Sequence, residues 1–346
     1  MRIEELDYAL PRELIAQRPL EDRAGSRLLV LERGSGRIRH HGFSKIADLL
    51  EPRSVLVLND TRVFPARLVG TKTTGGRLEV LLTRRTSSAG AHERWLALCS
   101  GSGRLRAGTR AACGDLLIEI TGRMEGGLFE VALQAGGGSV REAVDRCGQV
   151  PLPPYIDRPA ETEDEERYQT VYARTRGSAA APTAGLHFTH ELLDTLRSRG
   201  HTILTITLHV GPGTFQPVRE GRIEEHRMHE EWVGIGREAA LAIGRAHEQG
   251  RRIVACGTTV VRALEAAADG RGGVRAWDGP VDLFIRPGHA FSVVDDLVTN
   301  FHLPRSTLIA LVMALAGAST VRAAYDQAVE NRYRFYSYGD AMLIVR

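Results

Sequence analysis

The feature that most constrains the fold of this chain is a long helix-free stretch between Val63 and Val131. Within it, short runs of alternating apolar residues are separated by turns rich in Gly and Ser. Alternation with a period of two is typical of strands that bury one face, and a series of such strands predicts an antiparallel barrel or small sandwich. The runs are Arg67 to Thr71, Arg77 to Thr83, Trp95 to Cys99, Leu116 to Thr121 and Leu128 to Leu133.

The rest of the chain follows another pattern. From Gly177 to Ala316, strand-like apolar runs alternate with helical ones, which is typical of an α/β sheet. A chain of 346 residues also exceeds the usual size of one domain. We therefore predict an α/β main domain, formed by residues 1–61 and 152–346, with an inserted antiparallel all-β barrel-like domain at residues 62–151.

Composition limits the partners and the compartment. The formal net charge of +3 and the pI near 8.8 permit an anionic partner without requiring one. The cysteines form no C-x-x-C pair, and His226 and His229 lack a third ligand, so we expect no disulfide framework and no metal site. Neither a secretory signal nor an apolar run of membrane-spanning length is visible, so we expect a cytoplasmic protein without membrane contact.

The loop from Gly177 to Thr189 is the first candidate site. Small residues let its backbone N–H groups approach a ligand closely, and His187 adds a group that titrates near neutral pH. Thr189 is a suitable cap for the following helix. The alternative is a buried, Ala-rich connection whose His is merely hydrogen-bonded.

Polar residues follow several predicted strands. Asn59, Asp60 and Arg62 follow the apolar run Ser54 to Leu58, at the position where open α/β sheets place their ligands. The alternative for these residues is an Asx-turn beside a surface Arg. Other strand ends carry the remaining candidates, which are His209 with the loop Gly211 to Phe215, Asp282, and Asn300 with His302. Together they indicate one cleft at the strand ends.

Gly257, Thr258 and Thr259 lie between a predicted strand and a predicted helix. Free N–H groups at a helix N-terminus, two hydroxyls and the nearby Arg262 would form a receptor for a carboxylate or phosphate. An ordinary helix cap explains the same residues equally well. These patterns indicate a ligand-binding enzyme and leave its reaction open.

Several long blocks of the sequence are distinctive. They are LVLNDTRVFPAR (Leu56–Arg67), PLPPYI (Pro151–Ile156), YQTVYA (Tyr168–Ala173), APTAGLHFT (Ala181–Thr189), HVGPGTF (His209–Phe215), TNFHLP (Thr299–Pro304) and YRFYSYGDAM (Tyr333–Met342). These blocks resemble those of the S-adenosylmethionine:tRNA ribosyltransferase-isomerase family of queuosine biosynthesis, and the match follows the family's order from Asp7 to Ile344. The sequence departs from the family in the predicted barrel, where Ser100 to Arg106 replaces a Lys-rich turn.

The resemblance implies a reaction and its partners. S-adenosylmethionine would be consumed as a ribosyl donor, and no bound cofactor or metal would be needed. The acceptor would be 7-aminomethyl-7-deazaguanine at the wobble position of a tRNA with a GUN anticodon. The products would be epoxyqueuosine, adenine and methionine. We expect a monomer, because one active site per chain suffices.

The resemblance also suggests roles for the candidate residues. His187 is the first choice and His302 the second for a base that removes a 5′ hydrogen made acidic by the sulfonium. Asp60 or Asp282 would orient the ribose or the amine. The residues at 257–259, with Arg262, would bind the methionine carboxylate. The remaining predicted contacts to adenine and ribose are Thr183, Gly185, Phe188, Gly211, Gly213, Thr214 and Phe215, with Phe188 or Phe215 stacking on the base.

Two other functions remain open. A conventional methyltransferase would release S-adenosylhomocysteine, but the chain lacks an early strand followed by G-x-G-x-x-G. A non-catalytic RNA-binding protein would bind RNA without turnover, but the near-neutral charge does not favour it.

Overall fold

The computed structural model describes residues 1–211, 221, 223–225, 228 and 230–346. Its strands, in chain order, are β1 (Arg27–Glu32), β2 (Ile38–Gly42), β3 (Val55–Asn59), β4 (Thr61–Val63), β5 (Arg67–Lys72), β6 (Arg77–Ala89), β7 (His92–Gly101), β8 (Arg110–Cys113), β9 (Leu116–Arg123), β10 (Phe129–Ala135), β11 (Thr175–Ser178), β12 (Thr202–His209), β13 (Glu231–Ile235), β14 (Ile253–Cys256), β15 (Trp277–Val281), β16 (Asp296–Asn300) and β17 (Ala341–Val345). The α-helices are α1 (Ile46–Leu49), α2 (Val140–Cys147), α3 (Thr162–Arg167), α4 (His190–Ser198), α5 (Arg237–Glu248), α6 (Thr258–Ala266), α7 (Thr307–Ala316) and α8 (Ala318–Glu330).

The helix-free stretch forms a closed antiparallel barrel with the strand order β10-β7-β6-β5-β8-β9. Alternate side chains of its strands point inward, and Leu68, Val80 and Val131 are completely buried there. Helix α2 packs against β9 and β10, and the reciprocal hydrogen bonds of Ser139 and Glu142 cap its first turn. The predicted inserted barrel is therefore confirmed.

A nine-stranded mixed sheet forms the rest of the fold, in the order β15-β13-β12-β3-β14-β16-β17-β1-β2. Strands β12, β3, β14 and β16 are neighbours and run parallel. Strand β3 is buried along its whole length because both faces of the sheet are covered, which explains its unbroken apolar sequence. The α/β class is confirmed, whereas the domain boundaries after residues 61 and 151 stay a prediction.

Successive residues of β3 pack into different cores. Val55 and Val57 lie in the core that contains α6 and α7, and Leu56 and Leu58 lie in the core beneath α4. This alternation places the strand between two helical layers, so its carboxyl end is fixed firmly in position.

Two properties of the described residues concern membrane-spanning helices and clusters of metal-binding side chains. No single helix there is long and apolar enough to cross a membrane; α7 and α8 meet that test only as a pair bent by 115°, by length and composition alone. The same residues contain no group of three or more His, Cys, Asp or Glu that could hold a metal ion. His226 and His229 lie outside the described residues.

Candidate active site at the strand ends

The parallel arrangement of β12, β3, β14 and β16 brings their carboxyl ends to one edge of the sheet. A small cavity of about 50 Å³ lies at this edge. It contains polar groups from distant parts of the chain, as the sequence patterns predicted. The polar side chains lining it include Thr183, Thr258, Thr259, Thr299, Asn300 and His302.

His187 is buried behind this cavity and both of its ring nitrogens are hydrogen-bonded. Asn300 donates from Nδ2 to His187 Nε2 at 3.0 Å, so Nδ1 carries the proton and donates to Ser26 Oγ at 2.8 Å. Thr183 in turn donates its hydroxyl to Asn300 Oδ1 at 2.9 Å. Burial, with added repulsion from Arg334 and Arg23, lowers the pKa of His187 to about 3. The His is therefore neutral at pH 7 and fixes the orientation of Asn300.

His302 lies directly on the cavity wall. Its Nε2 lies 2.8 Å from Thr299 Oγ1, and the Thr299 hydroxyl donates to the Asn300 carbonyl at 3.3 Å. The Thr hydroxyl can therefore accept from Nε2–H, which leaves the Nδ1 lone pair without a partner among the described residues. Burial lowers the pKa of His302 to about 3, so this lone pair is available at neutral pH.

The backbone of His302 is held by two tyrosines. Tyr8 donates its hydroxyl to the His302 carbonyl at 2.5 Å, and the His302 N–H donates to Tyr325 Oη at 3.0 Å. These bonds fix the position of the ring without using either ring nitrogen.

The N-terminus of α6 also opens into the cavity. Gly257 precedes the helix with φ of 97°, a conformation that favours Gly, and donates its N–H to the Val298 carbonyl at 2.8 Å. Thr258 and Thr259 then line the cavity, and within the described ranges their hydroxyls have no hydrogen-bond partner. The helix dipole and these donors make the predicted receptor for a carboxylate geometrically feasible.

Arg262 does not contribute to that receptor as predicted. Its Nη1 forms an ion pair with Glu231, and its Nε donates to the Leu283 carbonyl at 3.0 Å. Both charged side chains are buried, at 3% and 4% exposure. The prediction was wrong for this residue because a carboxylate distant in sequence already neutralises it.

Asn59 is also used structurally. Its Oδ1 accepts from the Leu208 and Thr61 N–H groups, and its Nδ2 donates to the Leu208 carbonyl at 2.9 Å. The side chain thus joins β3 to β12 and is completely buried, and the cavity wall does not include it. The Asx-turn alternative explains this position correctly.

Asp60 and Arg62 have separate environments. Asp60 accepts from Thr207 Oγ1 at 2.6 Å and from Arg174 Nη2 at 2.9 Å, and it is almost completely buried. Arg62 is exposed on β4. Asp282 is likewise exposed, just after the edge strand β15, and the cavity wall does not include it.

Phe188 and Gly185 pack beneath the loop. Phe188 is completely buried, with its ring edge-on to Phe43 at 5.0 Å between centroids, so it offers no face to the cavity. The predicted stacking role of Phe188 is therefore corrected to a core role. A Cβ at Gly185 would lie 2.1 Å from Tyr172 Oη, so any other residue at this position requires its neighbours to shift.

A much larger cleft of about 810 Å³ lies beside the cavity, between the barrel and the sheet. His209 and Gly211 line this cleft, whereas Val210 lines the small cavity, as expected for alternate residues of an extended segment. His209 bonds Thr61 at 2.8 Å and stacks on Trp232 at 5.3 Å. The predicted contacts Gly213, Thr214 and Phe215 lie outside the described residues.

Sequence reasoning missed the contribution of the C-terminal loop. Tyr336 and Ser337 line the cavity, and Tyr336 has φ of 71°, which is strained for a bulky residue. Asp340 accepts from the Arg27 and Arg334 N–H groups. A cluster of aromatic residues near a chain end also fits a core, so the sequence alone does not distinguish this loop. The positive φ of Tyr336 does, and it is visible only in the structure.

This combination defines the class of the protein. An α/β sheet with an inserted barrel, and a neutral His, amide and hydroxyl groups gathered at the strand ends, is the architecture of an enzyme that binds its substrate at that edge. The family model described as Queuosine biosynthesis protein matches residues 3–344. The chain therefore belongs to the queuosine biosynthesis protein family.

Two proteins of similar sequence align with this chain over nearly the whole length of both sequences. A curated protein from an Anaeromyxobacter species is 51% identical over 346 residues, covering 100% of this chain and 99% of the relative. One from Pelobacter propionicus is 51% identical over 347 residues, covering 99% and 100%. Both are named S-adenosylmethionine:tRNA ribosyltransferase-isomerase.

A solved structure is also similar. The crystal structure of S-adenosylmethionine tRNA ribosyltransferase from Thermotoga maritima is 36% identical, with a TM-score of 0.56, and the match covers 99% of this chain and 100% of that one.

Proposed function

We propose that this chain transfers and isomerises the ribosyl group of S-adenosylmethionine onto 7-aminomethyl-7-deazaguanine in tRNA. The product is epoxyqueuosine, with adenine and methionine released. The observation that carries the proposal is the full-length identity of about half with relatives that bear this enzyme name. S-adenosylmethionine is a consumed substrate in this reaction, and the sulfonium supplies the activation of the leaving group.

The site supports a binding mode in which two regions hold different parts of S-adenosylmethionine. The hydroxyls and N–H groups of Thr258 and Thr259 bind the methionine carboxylate at the N-terminus of α6. A pocket for a ligand of this size occupies roughly 300–1,000 Å³, which is far more than the small cavity offers. Binding therefore widens the cavity toward the 810 Å³ cleft, next to Gly211.

His302 is the general base in this proposal, and His187 positions other groups. The Nδ1 lone pair of His302 is unpartnered at the cavity wall, whereas the Nε2 lone pair of His187 already accepts from Asn300. The base takes a 5′ proton from the sulfonium-activated carbon to form an ylide. Adenine leaves as the ribose ring opens, the amine of the acceptor then attacks, and methionine leaves last.

The same proposal includes the RNA substrate, the oligomeric state and the cellular compartment. The tRNA carries a GUN anticodon, the enzyme acts as a monomer in the cytoplasm, and no resident cofactor takes part. The proposed chemistry needs only one active site per chain, and this supports the monomer.

Mass spectrometry tests the reaction directly. The chain is incubated with S-adenosylmethionine and an anticodon stem-loop that carries 7-aminomethyl-7-deazaguanine. Free adenine and methionine, together with an RNA heavier by the epoxycyclopentanediol unit, are the expected products. S-adenosylhomocysteine with a methylated RNA would instead establish a methyltransferase, and RNA binding without any turnover would contradict both enzymes.

A further inference from the structure

A second, smaller cavity lies on the other side of His187. It measures about 30 Å³ and is lined by His187 and by Ser26, the partner of Nδ1, so it faces the Nδ1 edge of the imidazole. The space accommodates about two water-sized groups, which is enough for the oxygens of an anion and too small for a nucleobase. Two arginines, Arg23 and Arg167, also line it.

The guanidinium groups of these arginines are bonded to main-chain carbonyls. Arg23 donates to the Leu186 and Glu166 carbonyls at 3.2 and 2.9 Å. Arg167 donates to the Leu20 and Glu21 carbonyls, the latter at 2.9 Å. The Nε of Arg167 is buried and has no hydrogen-bond partner. An unpartnered buried donor is uncommon in folded proteins, and a small movement of the side chain would let a ligand in the cavity satisfy it.

The carboxylates near this pair belong to exposed residues, and the Glu166 carboxylate offsets part of the repulsion that Arg23 experiences. The closest contact of Arg167 with a carboxylate is 4.0 Å, to the exposed Glu163. Asp22 also lines the cavity, but it is exposed and accepts from the Ala24 N–H at 2.9 Å. Burial, followed by repulsion from Arg167, lowers the pKa of Arg23. Two like charges kept this close favour an anion between them.

Arg334 adds a third positive charge close to His187. Its Nη2 donates to the Arg18 carbonyl, and its Nη1 is buried without a partner. Its carboxylate neighbour Asp340 is already bonded to Arg27. The positive potential on this side of His187 therefore comes from three separate segments of the chain.

We propose that Arg23 and Arg167 bind a backbone phosphate of the substrate RNA, with Arg334 strengthening the field. That the anion belongs to RNA rests on the proposed function. Guanidinium forks match phosphate oxygens, and the cavity holds two such oxygens. The carboxylate of S-adenosylmethionine is the other possible anion, but the N-terminus of α6 supplies its site on the opposite side of His187. The RNA would thus reach His187 from the side away from α6.

RNA binding measured over a range of salt concentrations tests this site. The variants Arg23→Gln and Arg167→Gln are compared with Arg245→Gln, which removes the same charge from an exposed position on α5. Each site variant should weaken stem-loop binding about tenfold and reduce the slope of log K against log salt by roughly 0.7 to 0.9. The control should change neither value, and the KM for S-adenosylmethionine should stay the same in all three.

The possible outcomes distinguish a failure of the phosphate-site proposal from a failure of the proposed reaction. Unchanged RNA affinity and salt slope in both site variants would overturn the proposal, as would a raised KM for S-adenosylmethionine with unchanged RNA binding. Thermal unfolding of each variant identifies a folding defect, and Arg23→Lys, which keeps the charge, should retain most of the salt slope. A wild-type protein without turnover would refute the proposed reaction, while the binding slopes would still report on the phosphate site.

Discussion

Acidification is expected to destabilise this protein through His187 and His302. Burial lowers the pKa of each to about 3, whereas a His in an unfolded chain titrates near about 6.5. Between these values the unfolded chain binds more protons than the folded chain, so the free energy of unfolding falls as the pH falls. Integration from about pH 7 to about pH 5 gives a loss of about 2 kcal/mol for each His.

Urea unfolding at the two pH values measures this loss, and His302→Gln isolates the share of one residue. Gln is polar and does not titrate, so the fall in unfolding free energy between the two pH values should shrink by about 2 kcal/mol. His247→Gln, at an exposed position on α5, is the matched control and should leave the fall unchanged. An identical pH dependence in His302→Gln and the wild type would show that burial does not hold His302 neutral.

Two further predictions concern turnover and packing. His302→Gln should lower the rate of adenine release by about 10²-fold or more, with little change in the KM for S-adenosylmethionine, in single-turnover assays. A larger fall in the rate of adenine release in His187→Gln would indicate that His187, and not His302, is the base. Gly185→Ala should lower the unfolding free energy by about 1–3 kcal/mol, because the added methyl meets Tyr172 Oη at 2.1 Å. Gly244→Ala, in a helix with no atom within 4 Å, should instead raise it by about 0.5–1 kcal/mol, and equal effects in urea unfolding would contradict the clash.

The parts of the fold that local patterns determine could be predicted from the sequence. The period of two between Val63 and Val131 predicted the barrel, and polar residues after apolar runs predicted the edge where the cavity lies. The cap of α4 was also predicted, since Thr189 accepts from the Leu192 N–H at 3.2 Å. Each of these signals depends on residues close together in the chain.

The misassigned residues depend on partners that are distant in sequence. Arg262 is neutralised by Glu231, and Asn59 is bonded to the backbone of Leu208, 149 positions further along the chain. A sequence pattern shows that a side chain is polar and where its strand ends. It does not show whether another segment will satisfy its hydrogen bonds, because that depends on the strand order. The Ser26 partner of His187, 161 positions away, was missed for the same reason.

The neutral state of His187 explains the orientation of the Thr183 hydroxyl at the cavity wall. Burial, together with Arg334 and Arg23, holds the His neutral, and at pH 7 only roughly one molecule in ten thousand would carry the second proton. Neutral Nε2 accepts from Asn300 Nδ2, and this bond turns Asn300 Oδ1 toward the Thr183 hydroxyl. A protonated His187 would place an N–H against the amide N–H and would force Asn300 to turn. Burial of His187, with a smaller contribution from the arginines, therefore determines which way the Thr183 hydroxyl points at the cavity wall.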